Sequence, residues 1–154
     1  MVNYEIKSQL AKLLATEDLV VENRNAQTAS FDVENRVLTL PMWERASSTV
    51  YDMLVGHEVG HALFTPNDWS WEKRVPRSFV NVTEDARIEK LMKRKYPGLT
   101  KTFYRAYKDL SEEDFFELSD VDINEMNLAD RINLKYKIGN WVDVPFTDEE
   151  MELV

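Results

Sequence analysis

The stretch His57-Glu58-Val59-Gly60-His61 holds both of the chain's histidines within five consecutive residues. On a helix with about 3.6 residues per turn, side chains four positions apart leave the same face, one turn from each other. Two imidazoles stacked in this way can reach one point in space, as a single metal ion requires. Glu58 is rotated by roughly 100° from the first histidine and falls beside that point, where a carboxylate can hold a water and take its proton. The competing account is a partly buried helix whose imidazoles are satisfied by ordinary hydrogen bonds. The flanking sequence has to decide between them.

Upstream, Ser47 or Ser48 can cap a helix by accepting a free backbone N–H, and the pattern predicts that this helix runs to about Phe64. Val50, Met53, Leu54, His57, Gly60, His61 and Phe64 fall on one stripe, which turns the histidines inward. Gly60 costs about 1 kcal/mol of helix propensity relative to Ala, and its missing side chain admits another helix, or a substrate, close to the metal. Thr65-Pro66-Asn67-Asp68 stops the helix. The loop that follows, to Arg77, carries Trp69 and Trp71, which either wall a cleft or pack onto the core.

A catalytic zinc usually has three protein ligands and a water. The chain contains no cysteine, so the third donor must be Asp or Glu. Phe79 to Lys93 reads as a long helix with basic residues in its last turn, ended by Tyr96-Pro97-Gly98. Within it Glu84 shares the buried face with Val80, Ile88 and Leu91, where an unpaired carboxylate is costly. Ligation of a metal explains Glu84; an ion pair with Arg87, one turn on, is the alternative. Asp85 is the other candidate ligand, or an acceptor for a histidine N–H. Arg87 and Glu89 complete the polar group that can stand behind the ligands.

Earlier in the chain, Ile6, Leu10, Leu13 and Leu14 predict an amphipathic packing helix over Tyr4 to Ala15. Thr28 to Leu40 reads as a hairpin turning at Glu34-Asn35, with Leu19 to Asn23 a third strand and Pro41 ending the segment. A small antiparallel sheet is therefore expected before the histidine helix, and its edge could pair with an extended peptide. After Gly98, Thr100 can cap a helix to about Leu110, Ser111-Glu112-Glu113 opens a short one, and Asn124 to Ile138 gives a longer one ended by Gly139. Thr147-Asp148-Glu149-Glu150 has a cap and first-turn acids. The chain ends four residues after Glu150, at Val154, and a helix begun and then cut is the expectation for an N-terminal fragment of a longer protein.

Composition bounds the rest. The 154 residues suffice for one domain with one core. A formal net charge of -9 disfavours a phosphate-binding surface, so no nucleic-acid partner is expected. No stretch approaches the roughly 18 apolar residues of a membrane span, and the N-terminus lacks a secretory signal pattern. With cysteine absent, a cytoplasmic location is expected.

HEVGHALFTP followed by NVTEDARIEKL resembles the predicted zinc peptidases of tailed phages, in which such a domain precedes a von Willebrand factor A-type module. The EDARIE portion is similar to part of the cobaltochelatase T subunit and of nitric-oxide-reductase accessory proteins, which carry the same module. The resemblance spans roughly residues 31–98 and rests on the two motifs. It implies a gluzincin, a mostly helical zincin-like α+β domain in which His57, His61 and Glu84 hold Zn²⁺ and Glu58 is the catalytic glutamate. It also implies a peptide or protein substrate, a C-terminal von Willebrand factor A module and an ATPase as partners, and the host cytoplasm as location. One departure stands out: classic gluzincins place an acid four positions after the ligand glutamate, and here that position is Ile88. Tyr51, Tyr104, Tyr107 and Arg87 are candidates to stabilise an oxyanion. The rival expectation is a non-hydrolytic binding or scaffold module.

Overall fold

The computed structural model describes residues 1–68 and 74–154. The chain is mixed α and β. Helix α1 (Tyr4–Ala15) leads into strands β1 (Val20–Arg24), β2 (Ser30–Asp32) and β3 (Val37–Pro41); helices α2 (Ser48–Phe64), α3 (Arg77–Lys95), α4 (Leu99–Glu112), α5 (Leu128–Ile138) and the short α6 (Asp148–Met151) follow. The expected α1 matches to the residue. Asn3 caps it by accepting from the N–H groups of Glu5 and Ile6.

Helix α2 is the axis of the fold. It packs against α1, α3 and α4, and residues on nearly all its sides are buried, among them Val50, Tyr51, Met53, Val55, Val59 and Ala62. A helix apolar all round has to be enclosed. Ser47 caps it through the Val50 N–H.

The sheet differs from the expectation in one respect. β2 and β3 form the anticipated antiparallel hairpin, Phe31 opposite Leu38, with the Asp32 carboxylate accepting from Glu34 and Asn35 N–H in the turn. β1, however, runs parallel to β3, Val20 opposite Val37, and the strand order is β1-β3-β2. The sheet is therefore mixed, not purely antiparallel. The reason is that β3 carries the buried alternating Leu38 and Leu40 and is the strand that recruits both neighbours. The strand pattern itself is silent on which neighbour β1 chooses. β2 is left as an edge.

In the C-terminal half, α4 continues through Ser111 and Glu112, so no separate helix opens there. The helix foreseen from Asn124 is divided. A 3-10 turn spans Ile123–Glu125, and Asn127 starts α5 by accepting the Asp130 N–H with its side chain. Thr147 and Glu150 form the expected capping box of α6. Among the described residues no helix is long and apolar enough to cross a membrane.

Candidate metal centre

Helix α3 crosses α2 at Gly60. A Cβ placed there would sit 2.8 Å from Ile88 Cδ1 and 3.0 Å from Met92 Cγ, both on α3. That contact is closer than side chains tolerate, so the bare glycine is what brings the two helices together. The stripe of α3 next to the contact carries Asp85 and Glu89, four residues apart, and these meet the histidines of α2.

His57 Nε2 and His61 Nε2 lie 3.4 and 3.3 Å from Asp85 Oδ1. The three residues each offer a donor atom within 4.8 Å of the others. Ligands about 2.0–2.1 Å from a tetrahedral Zn²⁺ are separated by roughly 3.3 Å, so the two measured separations suit a shared ion. The opposite nitrogen of each ring is tied back to the protein. His57 Nδ1–H donates to Glu89 Oε1 at 2.7 Å. His61 Nδ1–H donates to Thr65 Oγ1 at 2.8 Å, whose hydroxyl donates in turn to Glu84 Oε1 at 2.8 Å. Anchoring Nδ1 fixes both rings and leaves both Nε2 lone pairs for a metal. No family model, curated protein or solved structure matches the chain.

The electrostatics favour a cation. Burial alone would lower the His57 pKa, but hydrogen bonds to Asp85 and Glu89, with the nearby Glu58 charge, lift it to about 10. Burial raises Asp85, yet His57 and His61 beside it and the Lys137 charge hold it well below the usual carboxylate range. A field that holds a proton on an imidazole this strongly also attracts a divalent ion, which must displace that proton to bind. Glu89 is fully buried; its Oε1 accepts from both His57 and the Tyr107 hydroxyl, while Oε2 has no hydrogen-bond partner among the described residues.

Glu58 is 7% exposed and faces the same cleft as the histidines. Its carboxylate makes no hydrogen bond among the described residues, and burial raises its pKa, opposed by the two histidines. A carboxylate whose pKa burial raises is better suited to taking and returning a proton than an ordinary one.

Glu84 lies elsewhere than the metal reading of the sequence anticipated. It is on the buried face of α3 with Val80, Ile88 and Met92, but both its oxygens are taken by Arg87, at 2.7 and 2.8 Å, and one also by Thr65. The ion pair weighed as the alternative is the arrangement present. The carboxylate that converges with the imidazoles is Asp85. One residue on a helix is about 100° of rotation, and it is Asp85 and Glu89 that α3 turns toward the histidines of α2. Arg87 also donates to the Phe64 carbonyl, closing the end of α2.

Of the four oxyanion candidates, Tyr51 is a core residue, its hydroxyl donating to the Pro41 carbonyl and accepting the Trp43 N–H. Tyr104 packs at a tilt of 59° against Trp141 at the surface, and Arg87 is held by Glu84. Tyr107 alone of the four lines the cleft. Among the cleft residues that escaped the sequence reading are Thr65, Asn81 and Lys137, the last with its Nζ 3.5 Å from Asp85 Oδ2. Thr65 had a signal, since it stands four residues after His61 on the same face. Lys137 had none, because it arrives from α5. Trp69 and Trp71 lie outside the described residues.

Proposed function

We propose that the chain is a zinc-dependent endopeptidase whose metal is held by His57, His61 and Asp85. The observation that carries this reading is the convergence of three donor atoms within 4.8 Å of one another, both His–Asp85 separations matching tetrahedral spacing, beside a buried Glu58 that makes no hydrogen bond among the described residues. Imidazole and carboxylate donors suit Zn²⁺, and three of them leave a fourth position open. Taking Asp85 as third ligand also removes the departure from the gluzincin pattern. Four positions after Asp85 stands Glu89, an acid, which orients His57.

When bound, the metal polarises the peptide carbonyl and lowers the pKa of a water. Glu58 takes the proton of the attacking water and returns it to the leaving amine. Glu89 and Thr65 hold the two imidazoles in the orientation that exposes Nε2. Lys137 and Tyr107 border the space where charge develops on the carbonyl oxygen. The edge of β2, unpaired among the described residues, lies along the same cleft through Ser30 and Phe31, and can hold an extended peptide by backbone pairing without demanding a sequence. A von Willebrand factor A-type module and an ATPase as partners, and a phage source, follow from the motif resemblance alone.

Glu58 is not a ligand in this scheme, so Glu58→Gln should retain zinc and fold while losing about 10²–10⁴-fold in rate. The measurement is cleavage of unstructured peptides by parent and variant at matched zinc occupancy. Equal rates would assign the activity to another base or another protein. If neither cleaves, and both bind a protein partner equally, the scaffold reading replaces this one.

A further inference from the structure

The cleft beside the histidines has a volume of about 470 Å³, and its two ends differ in chemistry. Helix α2 forms its floor, so position along α2 reports position along the cleft. Thr65 lies one turn after His61, and among the described residues the α3 wall beyond it is mainly polar: Arg77, Asn81 and Glu84, with Val80 between them. Met53 and Leu54 lie one turn before His57. At that end the wall is Trp43, Leu110, Phe115 and Phe116.

The aromatic end is built by a particular backbone. Trp43 and Phe115 have ring centroids 5.3 Å apart, and Phe115 meets Phe116 edge to face at 5.3 Å. The two phenylalanines are bracketed by Asp114 and Glu117, non-glycine residues in the left-handed region with φ of 52° and 54°, a conformation disfavoured for L side chains. The Asp114 carboxylate accepts from the Leu118 N–H and the Ser119 hydroxyl, and the Phe115 N–H donates to the Leu110 carbonyl. The turn thus fixes Phe115 at the cleft wall, although 43% of it stays exposed.

We propose that this end is the side-chain subsite of the enzyme and takes a large apolar residue, aromatic or long aliphatic, next to the bond that is cut. The inference rests on the peptidase reading and on the continuity of the apolar wall with the metal centre. A peptide paired to the β2 edge presents alternate side chains to the cleft, so one such residue lies at the aromatic end while the peptide bond passes the histidines and Glu58. Among the described residues the apolar wall offers no partner to a charged side chain, which is therefore rejected there.

The experiment uses the zinc-loaded full chain with peptides differing at one position, Phe, Leu, Ala or Asp. Expected are kcat/KM values at least about tenfold higher for Phe and Leu than for Ala or Asp, with Phe116→Ala bringing the ratio of Phe to Ala toward one. A second readout needs no turnover: the same peptides bound to the zinc-loaded Glu58→Gln variant, with affinity by calorimetry and the ring resonances of Phe115 and Phe116 followed by NMR. Phe-selective binding that shifts those resonances is expected. Cleavage or binding that ignores the varied side chain, or favours Asp, overturns the subsite and leaves the peptidase reading standing. Phe-selective binding without any cleavage by the parent supports the subsite and counts against the peptidase. A chain that neither cleaves nor binds these peptides overturns both.

Discussion

The two halves of helix α2 treat buried charge in opposite ways. In the first half Lys7 of α1, itself 5% exposed, reaches over to Asp52 at 2.5 Å and Ser48 at 2.8 Å. A carboxylate and an ammonium from neighbouring helices neutralise each other, and nothing else is required. In the second half the carboxylates of Glu58, Asp85 and Glu89 surround two imidazoles, and among the described residues the lysine that reaches them is Lys137, 3.5 Å from Asp85 Oδ2. Burying charge without a partner costs several kcal/mol, and here the balancing charge is either the proton that Asp85 and Glu89 hold on His57 or a metal ion that displaces it. The second cluster has the composition of a site that completes itself with a cation.

The sharpest way to break this comparison is to remove one carboxylate from each half. Asp85→Ala should abolish stoichiometric zinc, whereas Asp52→Ala should leave the metal content unchanged and lower stability instead. Glu84→Ala should keep more zinc than Asp85→Ala, since Glu84 reaches the histidines only through Thr65. Metal analysis of the purified variants decides the matter. Stoichiometric zinc in Asp85→Ala together with its loss in Glu84→Ala would return the ligand role to Glu84.

Lys7→Met tests the self-contained half. It leaves Asp52 without its cation, but Asp52 is about one third exposed, so water recovers part of the cost. The expected loss is about 1–3 kcal/mol, below the 3–5 kcal/mol of a fully buried pair. Denaturant unfolding of zinc-matched samples measures it, and an unchanged midpoint would show that the pair contributes nothing net.

How much of this the sequence carried follows from where each signal resides. The α2 site was legible because His57, Glu58 and His61 lie on one helix, whose geometry converts spacing into direction. The buried position of Glu84 was legible for the same reason. Which carboxylate reaches the imidazoles was not, because it depends on the rotation of α3 against α2, fixed by Gly60 meeting Ile88 and Met92. One position along a helix reverses the answer. The hairpin was legible from alternation and its turn residues, whereas the parallel pairing of β1 with β3 is a choice between two strands that local patterns do not encode. Lys137 and the Phe115-Phe116 wall come from elements whose packing no motif announces.

A smaller effect is expected from loosening a ring without touching a ligand. Thr65→Val keeps the shape of the side chain but leaves His61 Nδ1–H and Glu84 Oε1 without their bridge. Residues in this position typically contribute 10–100-fold to metal affinity, so competition with a chelator should show zinc held about tenfold more weakly, at full initial occupancy. Equal affinity would mean that His61 is oriented by packing alone.

The smallest effect belongs to a third charge pair, partly buried at its carboxylate, which calibrates the other two. Glu150 of α6 meets Arg131 of α5 at 2.6 and 2.9 Å and also accepts the Thr147 N–H. The Arg131 hydrogen bonds, then the Thr147 N–H, lower its pKa from 4.5 to about 2. A carboxylate with a depressed folded pKa contributes stability that is fully present above its unfolded value and is lost as pH falls through the folded one. The contribution should therefore be constant above about pH 4.5 and fade between there and about pH 2. Glu150→Gln keeps an acceptor for Thr147 but not the charge, so its stability difference from the parent should be flat above pH 4.5 and shrink below it, with no change in zinc content. The side-chain carboxyl resonance of Glu150, followed by NMR, reads the same titration directly. A midpoint near 4.5 in the folded protein would show that Arg131 does not hold it, and α6 would then owe its place to the Thr147 cap and its own packing.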